Sequence, residues 1–402
     1  MTSSRALLAK VLIALGVVVA VDQLVLHLVL ADGELGGQRL APFDPPLFTA
    51  SQREKLDWIA GQLGETGTAP ESDRFDPELG WSAPRSGVIA PDRTFDSHGA
   101  RTGPEPLRGP EESDLYRLVC LGDSFTFGAE VADEEAWPYL LDRDSEAVEI
   151  ANLGQGGHGL GQTLLRWRRD GSRLRPDEVW MGWLPGAALR VVSAYRPAQN
   201  HTAMTIYPKP RFQLDENGAL ALLPSPAADL DDVHALLSSS EAFHPAMVER
   251  DLWVARCPDA WAPAGSRLLH HTALGRLYLT WAEGRERAVG PWLRDPSSEV
   301  YRVTRELVLQ TRAEVEATGA SFRFLILPGV SDLRHASVDP DPRWRPLMRD
   351  LQAAGVVVHD LTRTLLDAGA PERTELFMPQ GHWSPEGNRI VADALRDLLP
   401  DR

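Results

Sequence analysis

Three short segments hold residue types that together could carry out acyl chemistry. Leu118 to Gly128 reads LVCLGDSFTFG, an apolar run closed by Gly122 and followed two residues later by Ser124. Such a run predicts a buried strand feeding a sharp turn. A serine at that turn presents its hydroxyl above the strand's carboxyl end, while its own backbone N–H stays free to stabilise an oxyanion. Standing alone, the same residues are equally a helix cap followed by packing residues. Ala151 to Gln162 reads ANLGQGGHGLGQ; its glycines either turn an N–H toward developing negative charge or simply form a flexible strand-to-helix connection. From Met378 the chain continues MPQGHWSPEGNRIVADALRDLL. There Ser384 fits an N-cap, Pro385 the first helical position and Glu386 an acid in the first turn, so His382 is held in the loop before a helix with a defined start. A serine after the first strand and an imidazole before the last helix supply a nucleophile and a base, the minimum for covalent acyl transfer.

The elements that must position these groups are legible as alternating patterns. Tyr116 to Leu121, Ala147 to Ala151, Glu178 to Trp183, Ser321 to Leu327 and Val356 to His359 are short apolar runs bounded by turn residues. Helical patterns over Gly161 to Leu174, Tyr301 to Thr318, Arg345 to Ala354 and Arg389 to Leu399 separate most of them. Strands alternating with helices predict parallel pairing and a sheet covered on both faces, with ligands beyond the carboxyl ends of the strands. The alternation lapses over 195–298, which reads as a cap-like insertion with a helical stretch near Leu268 to Trp281. Its Trp253, Trp261, Trp281 and Trp292 suit either cap packing or stacking against sugars. Residues 32–113, rich in Pro, Gly and Asp apart from one helix at Ala50 to Leu63, read as a linker and strap; 114–402 reads as the core domain.

On these motifs the chain resembles the SGNH/GDSL hydrolase family, and within it the membrane-anchored extracytoplasmic members associated with polysaccharide O-acylation. The resemblance covers about Leu115 to Leu399. It implies a flavodoxin-like three-layer α/β/α sandwich around five mainly parallel strands, Ser124 as nucleophile, His382 as base, and a backbone donor at Gly157 beside that of Ser124. Two departures follow. Where the family carries an Asn and an Asp after the third strand, this chain has GWLPGAALR, with Ala187 and Ala188 at those positions; Gln155 or the His158 side chain is a candidate replacement donor. Where the family carries an acid two or three residues before the histidine, this chain has Gln380 and Pro379. Gln380 is then a candidate to orient the imidazole, and Asp332 and Glu386 are candidates for a relocated acid, although a turn residue and a helix N-terminal charge explain them equally. The resemblance implies an acyl-ester substrate on a carbohydrate and polysaccharide-assembly proteins as partners. The other reading it leaves is an attenuated or inactive scaffold that binds polysaccharide or an assembly partner.

Composition bounds the setting. The 402 residues are 43% hydrophobic and 24% charged, the balance of an ordinary globular protein, and a formal charge of -16 excludes the counterion-releasing basic surface that nucleic acid requires. Neither cysteine-histidine spacing nor any other motif calls for a metal or cofactor. Arg5 and Lys10 precede an apolar run from Val11 to Val21 that Leu24 to Leu30 extends. This predicts an N-terminal signal anchor over residues 1–31, spanning once and leaving the rest of the chain extracytoplasmic; a cleaved signal would export it equally. Asp22 inside that run is costly in lipid, so a span must set it at the outer interface or against a partner helix.

Overall fold

The computed structural model describes residues 2–36, 38–43, 46–63, 74–90, 92–102, 107, 115–143, 147–286 and 289–400. The chain divides into two compact units: Met1–Glu65 with Tyr195–Ile206 and Pro226–Ala288, and Thr66–Ala194 with Tyr207–Ser225 and Val289–Arg402. The linker-and-strap stretch and the 195–298 insertion are therefore each shared between the two.

The second unit holds the sheet. Its strands are β1 (Tyr116–Leu121), β2 (Val148–Asn152), β3 (Glu178–Trp183), β4 (Ser321–Ile326) and β5 (Val357–Asp360), in the order β5-β4-β3-β1-β2 with every pair parallel. In chain order this is 2-1-3-4-5, the doubly wound flavodoxin-like arrangement. Every residue of β2 and β3 is buried; β3 accordingly reads as a near-continuous apolar run rather than an alternation, while Glu149 within β2 is buried against Arg117 of β1 (2.5 Å). Helices α3 (Ser124–Phe127), α4 (Trp137–Arg143), α5 (Leu160–Arg169), α7 (Glu299–Glu316), α8 (Val330–Val338), α9 (Arg345–Ala353), α10 (Thr362–Asp367) and α11 (Pro385–Arg396) follow or separate the strands. On one face, Trp137, Leu141, Leu365, Val391 and Leu395 of α4, α10 and α11 bury against Leu118, Cys120, Ile150, Trp180 and Leu325 of the sheet. On the other face α7 packs with both α5 and α9.

Two hairpins precede β1, Arg74–Asp76 with Gly80–Ser82 and Gly87–Ala90 with Arg93–Phe95. Just beyond them Arg101 donates its backbone N–H to the Asn152 carbonyl, an isolated bridge at the end of edge strand β2.

The first unit carries α1 (Thr2–Leu28), α2 (Ala50–Gln62), several short helices and α6 (Ala273–Glu286). Trp253 and Trp261 are buried in it, so they pack, whereas Trp281 is exposed. Ala6–Leu28 is long and apolar enough to cross a membrane, and the sides of its central stretch are uncovered. Asp22 is buried and accepts from the N–H groups of Ala273 (3.0 Å) and Leu274 (2.9 Å) at the start of α6. The carboxylate thus stands against a partner helix and serves as its cap.

Candidate functional site

β1 ends at Leu121, and the chain turns through Gly122 into α3. A side chain at Gly122 would place its Cβ 2.2 Å from Thr126 Oγ1 and 2.9 Å from the Gly182 carbonyl, so only glycine lets the turn lie this close to β3. Asp123 caps α3 by accepting from Phe125 N (3.0 Å), and its second oxygen accepts from Arg190 Nη1 (3.1 Å). Ser124 is then the first helical residue, 7% exposed at the carboxyl edge of the sheet. Its N–H has no acceptor among the described residues, and neither does that of Gly157 in the loop after β2. Gly157 has φ of 77°, a left-handed conformation that costs a non-glycine residue about 1 kcal/mol or more.

His382 lies at the same rim. The loop that carries it is pinned by Met378 N to His382 O (2.7 Å), a bridge between Phe377 and Trp383, and Ser384 N to Leu376 O (2.9 Å). Ser384 caps α11 through Gly387 N (3.3 Å). The ring of Phe125, the neighbour of Ser124, stands 5.3 Å from the imidazole and 5.0 Å from Trp383. The turn of the serine and the loop of the histidine are therefore packed on each other.

The acid on the imidazole is one that the sequence reading missed. Glu130, six residues after Ser124, places Oε2 2.6 Å from His382 Nδ1. A carboxylate oxygen only accepts, so Nδ1 carries the proton and Nε2 keeps its lone pair. Oε1 of the same carboxylate accepts from the Gln380 backbone N–H at 3.1 Å. This replaces all three residues expected to orient the ring. The side chain of Gln380 is exposed, and only its backbone meets the acid. Asp332 is buried elsewhere, accepting from Gly186 N (3.2 Å), Gly329 N (3.2 Å) and Arg343 Nη2 (2.6 Å). Glu386 is a half-exposed partner of Arg373 at 3.0 Å.

Glu130 reaches the ring from a backbone held at φ of 69°, a conformation unfavourable for a residue with a Cβ. What holds it there is Arg101, 4% exposed. Its Nη1 donates to the carbonyls of Phe127 (2.9 Å) and Gly128 (2.6 Å), its Nη2 to Val131 (2.7 Å), and its Nε to Asp133 (2.6 Å). Four acceptors on both sides of Glu130 thus converge on one guanidinium. Asp133 also accepts from Thr94 N (2.8 Å), which ties the second hairpin to this loop.

Of the two replacement donors, Gln155 is buried in the loop after β2, where its backbone N–H donates to the Gly122 carbonyl (3.1 Å). The His158 ring is buried with Nε2 3.0 Å from the Trp81 carbonyl, and burial pulls its pKa down to about 3, so it is a neutral ring whose donor is already engaged. Ala187 and Ala188 lie buried in a 3₁₀ turn after β3, where they offer no polar side chain. The polar group this turn does send to the site is Arg190, which bridges Asp123 and the His158 carbonyl (2.9 Å).

No protein-family model and no curated protein matches the chain. Among solved structures it is similar to a member of the lipolytic protein G-D-S-L family from Veillonella parvula, at 12% identity over 70% of this chain and 97% of that one, TM-score 0.33. It is similar to an acetylxylan esterase from Geobacillus stearothermophilus at 14% identity over 71% and 95%, TM-score 0.34. A lipase/acylhydrolase from Enterococcus faecalis is similar at 13% identity over 72% and 99%, TM-score 0.31. At these identities and scores, the chemistry of the site is read from this chain's own geometry.

Proposed function

We propose that the sheet-bearing unit is a serine ester hydrolase or acyltransferase of SGNH type, with Ser124 as nucleophile, His382 as base and Glu130 as the group that orients and electrostatically supports the imidazole. The observation that carries this reading is the 2.6 Å contact between His382 Nδ1 and Glu130 Oε2, which leaves Nε2 as the acceptor. In the reaction, Ser124 Oγ attacks the ester carbonyl and its proton passes to His382 Nε2. The carbonyl π pair moves to oxygen, where the N–H groups of Ser124 and Gly157 receive it. Collapse expels the alcohol, which takes the proton from Nε2, and leaves an acyl-serine. Water, or an acceptor hydroxyl, then repeats the sequence in reverse roles. The imidazolium formed in both steps lies against Glu130, which is where the carboxylate lowers the barrier.

The attenuated-scaffold alternative draws on the absent family acid and Asn. Glu130 supplies an acid by another route, which removes the stronger of those two grounds. We propose further that α1 is a membrane anchor and that the substrate is an acyl ester of a carbohydrate outside the cytoplasmic membrane; Arg5 and Lys10 before the apolar run support that orientation. The test is hydrolysis of aryl acetates by the full-length protein in detergent. Turnover that disappears in Ser124→Ala supports the reading, and equal rates in the two proteins overturn it.

A further inference from the structure

We infer that α6 is an interfacial helix whose outer stripe lies in the lipid headgroup region of the bilayer that α1 crosses; this rests on the reading of α1 as a membrane span. Leu274, Tyr278, Trp281 and Arg285 fall at spacings of four, three and four residues, which sets them on one narrow stripe. Leu274 is 65% exposed, and Tyr278 and Trp281 are each 56% exposed. The opposite side of the helix is committed to its own unit. Ala273 and Leu277 pack with Leu30, Leu40, Val25 and Leu26, Thr280 Oγ1 accepts from Ala41 N (2.9 Å), and Arg276 donates to the Leu40 and Ala41 carbonyls. The open stripe is therefore not a helix face awaiting the rest of its own core.

Geometry along α1 places the start of the stripe, Leu274, at lipid depth. Residues from Ala6 to Val21 rise only about 24 Å at 1.5 Å per residue, short of the roughly 30 Å of hydrocarbon in a bilayer. A full crossing must continue to about Val25 or beyond, and on its free side α1 does stay apolar and exposed at Leu24 and Leu28. The start of α6 is fastened below that level, at Asp22, by the two N–H bonds to the carboxylate and by Gln23 Nε2 to the His271 carbonyl (2.8 Å). Those bonds also satisfy the carboxylate and two terminal N–H groups, as a helix start near hydrocarbon requires.

The side chains match that depth. Tyr and Trp are the residues of the membrane–water boundary, their rings in the acyl region and their polar edges toward water. Tyr278 and Trp281 lie 6.0 Å apart, and Arg285 sits over the Trp281 ring at 5.0 Å, with its charged head free to reach toward phosphate. An aqueous partner protein would leave the coincidence of this stripe with the level of Asp22 unaccounted for.

Depth-dependent quenching tests the inference. Single cysteines at Val17→Cys, Leu274→Cys and Trp281→Cys are placed in full-length protein carrying Cys257→Ser, in which the remaining Cys120 is fully buried. They are labelled with an environment-sensitive fluorophore and reconstituted in phosphatidylcholine–phosphatidylglycerol vesicles. Quenchers are lipids bearing a nitroxide either near the headgroup or at the chain end. The expected result, relative to vesicles without nitroxide, is the largest loss at Val17 with the chain-end nitroxide and the largest loss at Leu274 and Trp281 with the headgroup-proximal one. Quenching at Val17, with Leu274 and Trp281 as bright as in vesicles without nitroxide, overturns the interfacial helix while the span stands. No quenching at Val17 overturns the span and this inference with it.

Discussion

Replacing Glu130 by glutamine separates an acid that supports the imidazole from one that merely neighbours it. The two carboxylate oxygens have two different jobs: Oε2 accepts from His382 Nδ1 at 2.6 Å and Oε1 accepts from the Gln380 backbone at 3.1 Å. Both jobs require an acceptor, and an amide offers one acceptor and one donor. If the amide oxygen faces Gln380, its NH₂ faces Nδ1 and drives the imidazole into the tautomer that carries its proton on Nε2, which cannot take a proton from Ser124. If the oxygen faces the ring, the NH₂ opposes the Gln380 N–H, donor against donor, and the developing imidazolium still lacks a counter-charge. The corresponding Asp to Asn change in serine proteases lowers turnover about 10⁴-fold, and at 1.36 kcal/mol per tenfold this is about 5.4 kcal/mol of barrier. Glu130→Gln is therefore expected to lower kcat on an aryl acetate by about 10³ to 10⁴ with KM little changed, since the ester does not touch the acid. The assay is steady-state hydrolysis, with circular dichroism to verify that the fold is retained. A folded Glu130→Gln protein within about threefold of the original kcat would refute the role.

Gln380→Asp, which restores the acid where the family pattern places it, is expected to give no gain in esterase activity because Nδ1 already donates to Glu130; a large gain, read in the same assay, would argue against Glu130. Arg101→Met leaves Asp133 buried without its counter-charge and removes the donor to the Gly128 and Val131 carbonyls, so it is expected to lower stability by about 3–5 kcal/mol. Arg101→Lys, measured by denaturant unfolding beside kcat, is expected to lose activity in larger proportion than stability, because one ammonium cannot hold the carbonyls on both sides of Glu130. His158 carries a pKa drawn down to about 3 by burial, below its ordinary 6.5. Its neutral ring therefore contributes fully above about pH 6.5, and that contribution is lost as pH falls toward 3, at about 1.4 kcal/mol per pH unit. Between pH 7 and 4.5, unfolding of His158→Asn is expected to show a shallower loss of stability than the parent protein.

The sheet was readable because its central strands are buried: β1 and β3 fall on the ranges that the apolar runs predict, β4 ends one residue earlier, and β2 and β5 are each displaced by one residue. Ser384, Pro385 and Glu386 marked the start of α11, and the local capping chemistry that predicts such a start is what the structure contains. Glu130 was invisible for the opposite reason. It meets His382 across 252 residues of chain, and nothing local distinguishes it from the acids of the turn that follows, Asp133, Glu134 and Glu135. The signal it does leave is conformational, a non-glycine residue at φ of 69°, and that exists only once the backbone is known. Asp332, shortly after the fourth strand, and Glu386, just past the histidine, drew notice as acids, yet capping and surface pairing account for them. The division of residues 32–113 and 195–298 between two units depends on tertiary contacts such as Asp22 with Ala273, which no periodicity announces. Even so, the cost of a carboxylate within the apolar run was readable, and the helix that satisfies it is where that cost required one.

Reaction with a fluorophosphonate probe, followed by mass spectrometric location of the adduct, tests the central claim without any knowledge of the natural ester. The account predicts one phosphonyl group on Ser124, formed at a rate that falls steeply in His382→Ala and Glu130→Gln and absent in Ser124→Ala. Folded protein that takes up no probe, or that carries it on a different serine, would contradict it.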